Sequence, residues 1–191
     1  MKNIYERLDK ILPNIMEKEF RGKKGLGNEV GFHIFDYDPK YEPLVREHIK
    51  SLKRKVNINN SDIYIREFDL YEIMIEIIDD KGYLEKLFKM EEKKGTEKLI
   101  KAIKTTLRFT QKNDLIIDYF RKNVKEKDIV FITGVGKVWP IIRTHTILNN
   151  LQPVVKAPVI MFFPGGYSGL ELHLFNKIKD SNYYRAFRLI E

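Results

Sequence analysis

The chain has 191 residues, 43% of them hydrophobic and 12% aromatic, with a formal net charge of +8 and a pI near 9.4. That length and apolar content predict one domain over residues 1–191 with one sizeable core and exclude extended disorder. Cysteine is absent, which excludes disulfides, thiol nucleophiles and thiolate metal sites.

In chain order, Ile4, Leu8, Ile11 and Leu12 recur at helical spacing, so residues 4–20 read as an amphipathic helix interrupted by Pro13. A basic, glycine-rich loop follows from Arg21 to Gly27. Gly31 to Asp38 reads as a first strand ended by the Asp38-Pro39 turn signal. A helix is predicted from about Pro43 to Lys55, with a stripe of Leu44, Val45, His48, Ile49 and Leu52, then a polar turn over Asn57 to Asp62. Ile63 to Leu70 alternates as a second strand, and from Tyr71 the period turns helical until Lys93-Lys94-Gly95. Thr96 is the expected N-cap of a helix burying Leu99, Ile100, Ile103 and Leu107. Asn113-Asp114 breaks it before a shorter helix through Ile117, Tyr119 and Phe120. Asp128 to Thr133 and Pro158 to Phe163 are continuous apolar runs, the pattern of strands buried on both faces. Between them Gly134-Val135-Gly136 is a tight turn and Val138 to Leu151 a helix, which makes a βαβ unit. Pro164-Gly165-Gly166 closes the second strand, and two short strands are expected near Leu170–Phe175 and Tyr184–Leu189. Alternating strands and helices predict an α/β three-layer sandwich with a mostly parallel central sheet and helices on both faces. Ligands in such folds sit beyond the carboxyl ends of the strands.

Five features bear on chemistry. Gly134, Gly136 and Lys137, with Arg143 further on, follow a buried strand as a phosphate loop does. The loop is shorter than G-x-x-x-x-G-K-[ST], Val138 replaces the magnesium-binding hydroxyl and Trp139 the third glycine of a dinucleotide fingerprint, so ATP and GTP are expected to bind weakly or not at all. Asp36 and Asp38, two residues apart, suit a metal or acid/base pair, or else structural bonds to a turn and a backbone amide. His33, His48, His145 and His173 have no zinc spacing. Lys98, Lys101, Lys104, Arg108 and Lys112 form a basic stripe that suits phosphate contact or a solvated helix face. Trp139, Tyr167, Tyr183, Tyr184 and Arg185 are the aromatic and arginine candidates for an interface. No G-x-S-x-G elbow occurs; Gly165 to Gly169 departs from it.

Several blocks, in order, resemble one family. Asn28-Glu29-Val30 leading into Phe32 to Pro39, Glu67 to Glu72, Phe131 to Pro140 with Leu148 to Leu151, Met161 to Gly165 and Asn182 to Phe187 are similar to the BrxB proteins of BREX phage-exclusion systems. The resemblance implies a small component encoded beside a large ATPase, a DNA methyltransferase and a phosphatase-like PglZ protein. It carries over no catalytic residues, metal or cofactor. The expected function is a non-enzymatic adaptor held to other BREX proteins, foremost the PglZ protein or the large ATPase. A degenerate nucleotide-binding domain, or one making non-specific DNA or RNA contact, is the alternative, and a metal-dependent hydrolase using Asp36 and Asp38 a third. With no secretory pattern and no long apolar run, the protein is expected to be cytoplasmic, without membrane contact.

Overall fold

The computed structural model describes residues 3–22, 31–59, 62–169, 171–180 and 186–191. The glycine-rich loop beyond Gly22, the Asn28-Glu29-Val30 block, and the candidates Tyr183, Tyr184 and Arg185 lie outside the described residues.

The N-terminal segment is three short helices, α1 (Ile4–Asp9), α2 (Ile11–Met16) and α3 (Lys18–Gly22), rather than one broken at Pro13. Pro13 lies in the first turn of α2, where its missing N–H has no helical partner to lose. Then come β1 (Phe32–Tyr37), a 3-10 turn (Pro39–Tyr41), α4 (Glu42–Asn59) and β2 (Tyr64–Asp69). The expected polar turn at Asn57 is the end of α4, and the Asn57 amide has a job there. It accepts from the Ile65 N–H at 2.7 Å and donates to the Ile65 carbonyl at 3.0 Å. Those groups lie on an edge strand, so Asn57 blocks part of a surface open to strand pairing.

Helices α5 (Leu70–Asp80), α6 (Leu84–Lys94), α7 (Thr96–Leu107) and α8 (Leu115–Asn123) follow. Asp69 and Asp114 cap α5 and α8, each accepting two backbone N–H groups. Thr96 does not cap α7 as expected: Gly95, at φ 76°, makes the junction, and the Thr96 hydroxyl donates to Glu91 at 3.1 Å.

The remaining elements are β3 (Asp128–Thr133), α9 (Thr144–Leu151), β4 (Val159–Tyr167), β5 (Leu172–Leu174), β6 (Ile178–Asp180) and β7 (Phe187–Arg188). The expected helix from Val138 begins only at Thr144. Residues 135–142 form turns, because Pro140 disfavours helical geometry at Trp139 and cannot donate to an earlier turn, and Arg143 is extended at φ −97° and ψ 133°. Nor does Pro164-Gly165-Gly166 end β4; the strand continues to Tyr167 and pairs antiparallel with β5 there.

The sheet order is β2-β3-β4-β1-β7, every neighbouring pair parallel, with β5 and β6 as an antiparallel extension of β4. The α/β class and the mostly parallel sheet expected from the sequence are what the chain adopts. Alternate strand residues enter two separate cores. Phe32 and Ile34, Val130 and Ile132, and Val159 and Met161 pack with α5 to α9. Phe35 and Tyr37, Ile129 and Phe131, and Ile160 and Phe162 pack with α1 to α4. The step from β1 out to β2 runs through α4 on one face, and the steps back from β2 to β4 run through α5–α9 on the other. Reversing direction and face together keeps all crossovers of one hand. The change of face falls between β1 and β4.

His48 lies half-buried on the apolar side of α4, with its Nε2 enclosed and without a hydrogen-bond partner among the described residues. Burial lowers its pKa below the usual histidine value, outweighing the Asp9 carboxylate and a backbone hydrogen bond at Leu8. The folded state therefore holds the neutral ring, while the unfolded chain takes up a proton below its own pKa of about 6.5. Stability present above that pH is lost as pH falls toward the depressed folded value. Replacing His48 with Leu should shrink the drop in melting temperature between about pH 7.5 and about pH 5.5; an unchanged drop would assign the acid sensitivity elsewhere.

Candidate functional site

The strand ends place two sets of polar residues at the edge where α/β sheets present function. The first surrounds the turn after β3. Gly134 adopts φ +73°, and a Cβ there would fall 2.3 Å from Asp69 Oδ1, so only glycine fits between the turn and the cap of α5. Lys137 points to that same carboxylate: its Nζ donates to Asp69 Oδ2 at 2.5 Å and lies 3.9 Å from Glu72 Oε1. Gly136 is confined by Phe175, whose ring would be 2.8 Å from an added Cβ. Val138 is buried in the core. The lysine thus turns toward two carboxylates, and no helix opens directly behind the glycines to supply a ring of free N–H groups. Thr133 donates to Glu67 at 3.0 Å, and Glu67 also takes Lys53 at 2.7 Å.

The second set lies at the change of face between β1 and β4, in a cleft of about 720 Å³. Arg7 comes from α1, Asp36 and Asp38 from the end of β1, Gly165 and Gly166 from β4, and Arg188 from β7. Asp36 is the hub. It accepts from Arg7 Nη2 at 2.8 Å, Arg188 Nη2 at 3.3 Å and the Tyr167 N–H at 3.1 Å. Asp38 is engaged apart from it, accepting from the Lys40 N–H at 3.1 Å and its ammonium at 3.2 Å, bonds that hold its carboxyl below the usual range. Burial, then the neighbouring Glu42, push the Tyr37 phenol well above its ordinary pKa; it donates to Glu42 at 2.5 Å and stays a proton donor. Gly165 is required by a close backbone approach: a Cβ would sit 2.1 Å from the His173 carbonyl oxygen.

The structure separates the remaining sequence candidates. Trp139 is 45% exposed and rims a shallow depression with Arg143, Phe163, Leu172 and Lys179. Tyr167, expected at the surface, is 2% exposed in the core, with its hydroxyl 2.6 Å from the Ala186 carbonyl. It is buried because β4 runs on through the glycines. Lys98, Lys101, Arg108 and Lys112 are exposed and Lys104 half-buried, with Arg108 in the left-handed cap of α7 and Lys112 beyond it. His33, His48, His145 and His173 lie on β1, α4, α9 and β5.

Nothing in the sequence pairs Arg7 or Arg188 with Asp36. Their partner is 29 residues away for Arg7 and 152 for Arg188, beyond the reach of local periodicity. The available signal was Asp36 itself, the one carboxylate of β1 among Phe32, Ile34, Phe35 and Tyr37, which demands a partner from elsewhere in the fold.

A family model described as "BREX protein BrxB" matches residues 66–189. A protein described as "BREX protein BrxB" from Bacillus cereus (strain H3081.97) is 59% identical over 192 residues, covering 100% of both chains. One with the same description from Escherichia coli O9:H4 (strain HS) is 38% identical over 187 residues, covering 96% of this chain and 90% of its own. No solved structure gives a significant match.

Proposed function

The chain belongs to the BrxB family, a component of BREX phage-defence systems, and from that premise we propose that it works as a non-enzymatic adaptor, binding other BREX proteins through the surface around Trp139. The observation that carries the reading is the contrast at the strand ends. The carboxylates that would serve as acids, bases or ligands are engaged in structural pairs: Asp36 with two arginines and an amide, Asp69 with Lys137, and Glu67 with Lys53 and Thr133. Beside them the chain's one tryptophan lies half-exposed next to Arg143, and tryptophan and arginine are the side chains most enriched among interface anchors. The PglZ protein and the large ATPase are the partners to test first.

A half-exposed tryptophan adds little to the core, so Trp139→Ala should cost less than about 1 kcal/mol of stability, against the ~3–5 kcal/mol of a buried one. As an anchor its loss should weaken binding by about 2 kcal/mol or more, roughly thirtyfold. Tagged wild-type and variant chains, expressed with the rest of the system, give the test. Recovery of a named BREX protein with the wild type and its loss with Trp139→Ala at unchanged melting temperature is the expected result. Equal recovery with both removes Trp139 from the interface.

A further inference from the structure

We propose that the α6–α7 hairpin is a binding surface for the phosphate backbone of duplex nucleic acid. Between Leu84 and Lys112 the chain carries nine Lys or Arg against four Asp or Glu, so a segment of the two helices and the following turn holds most of the net charge of +8. On α6 the cations are Lys86, Lys89, Lys93 and Lys94; on α7 they are Lys98, Lys101 and Lys104; Arg108 lies in the cap of α7 and Lys112 in the turn after it.

What distinguishes this segment is its density of unpaired cations, nine within residues 84–112. Some basic residues elsewhere are paired, Arg46 with Glu42 at 3.0 Å, Lys50 with Glu47 at 2.7 Å, Lys53 with Glu67 at 2.7 Å and Lys137 with Asp69 at 2.5 Å, while others, such as Lys10, Lys18 and Lys55, form no salt bridge among the described residues. Among the described residues none of the nine lies within ion-pair distance of a carboxylate. Lys98, Lys101 and Lys104 repeat every third residue, steps of about 4.5 Å along α7, close enough for neighbouring cations to meet successive phosphates.

The residue type selects the partner. All but Arg108 are lysines, point charges without the planar fork that reads a base edge, so the surface positions a backbone and reads no sequence. Lysine is also depleted from protein–protein interfaces, which rely on aromatic and arginine anchors, so the hairpin differs in kind from the Trp139 surface.

Fluorescence anisotropy of the full chain with a mixed-sequence DNA duplex of about three helical turns tests the proposal. One variant carries Lys89→Gln, Lys94→Gln, Lys98→Gln and Lys101→Gln. A control removes the same charge from the opposite side of the sheet, with Lys10→Gln, Lys18→Gln, Lys50→Gln and Lys55→Gln; all eight positions are exposed. The wild type should bind with a steep salt dependence. The hairpin variant should lose at least tenfold in affinity at about 100 mM salt and about three units of the log–log salt slope, and the control should stay within about threefold. Single Lys98→Gln and Lys101→Gln changes should each lower the slope by about one. Duplex RNA bound within about tenfold of DNA fits phosphate recognition. No wild-type binding at about 50 mM salt, equal losses in both quadruple variants, or strong sequence preference would overturn the proposal. So would a hairpin variant that keeps DNA but loses a protein partner.

Discussion

Asp36→Ala is expected to destabilise the chain by about 3–5 kcal/mol, the usual consequence of removing one partner from a largely buried ion cluster. The Asp36 side chain is 14% exposed and ties three elements to β1: α1 through Arg7, the end of β4 through the Tyr167 N–H, and β7 through Arg188. Without it two guanidinium groups face each other and an amide loses its acceptor. The first element to loosen should be α1, whose Ile4 and Leu8 are packed by the same docking. Asp36→Asn keeps an acceptor for Tyr167 without the charge and should fall between alanine and wild type. Urea denaturation reads both; a loss below about 1 kcal/mol for Asp36→Ala would contradict the structural role. The same variants address the hydrolase alternative, because a stable Asp36→Asn protein that had lost phage defence would point to chemistry at this carboxylate.

Phe162→Ala should cost a comparable ~3–5 kcal/mol, for a different reason. Phe162 is 1% exposed on β4, with its ring 5.7 Å from Phe35 and 5.0 Å from Phe131 on the two neighbouring strands. Alanine leaves a cavity that three strands cannot close without giving up their parallel register. Phe162→Leu should cost less, since it refills part of the space. A Phe162→Ala chain no less stable than Trp139→Ala would mean that this face of the sheet is not packed as described.

The strands at the centre of the sheet were legible in the sequence because burial on both faces leaves little but apolar residues, as in Asp128–Thr133 and Val159–Phe163. What was misread depended on neighbours distant in the chain. Val138 and Ile142 stand at helical spacing and both are buried, so periodicity alone suggests a helix; only isolated turn bonds such as Ile142 N–H to the Val138 carbonyl, 3.1 Å, form there. Pro164-Gly165-Gly166 resembles a terminator, yet Pro164 still sits in register with Tyr37, and glycine is needed because the β5 backbone crosses Gly165. That same continuation draws Tyr167 into the core. At the site, the glycine turn was visible but its lysine's destination was not, since Asp69 lies 68 residues earlier. The Asp36 cluster was half-visible: the carboxylate stood out, and its arginines did not.

The adaptor reading is tested most directly by isothermal titration of the purified chain with the PglZ protein, and separately with the large ATPase, of its own BREX system. Saturable binding to one of them is expected, weakened roughly thirtyfold or more by Trp139→Ala in a protein that melts like the wild type. Absence of binding to either protein, together with full phage defence in cells carrying Trp139→Ala, would contradict it.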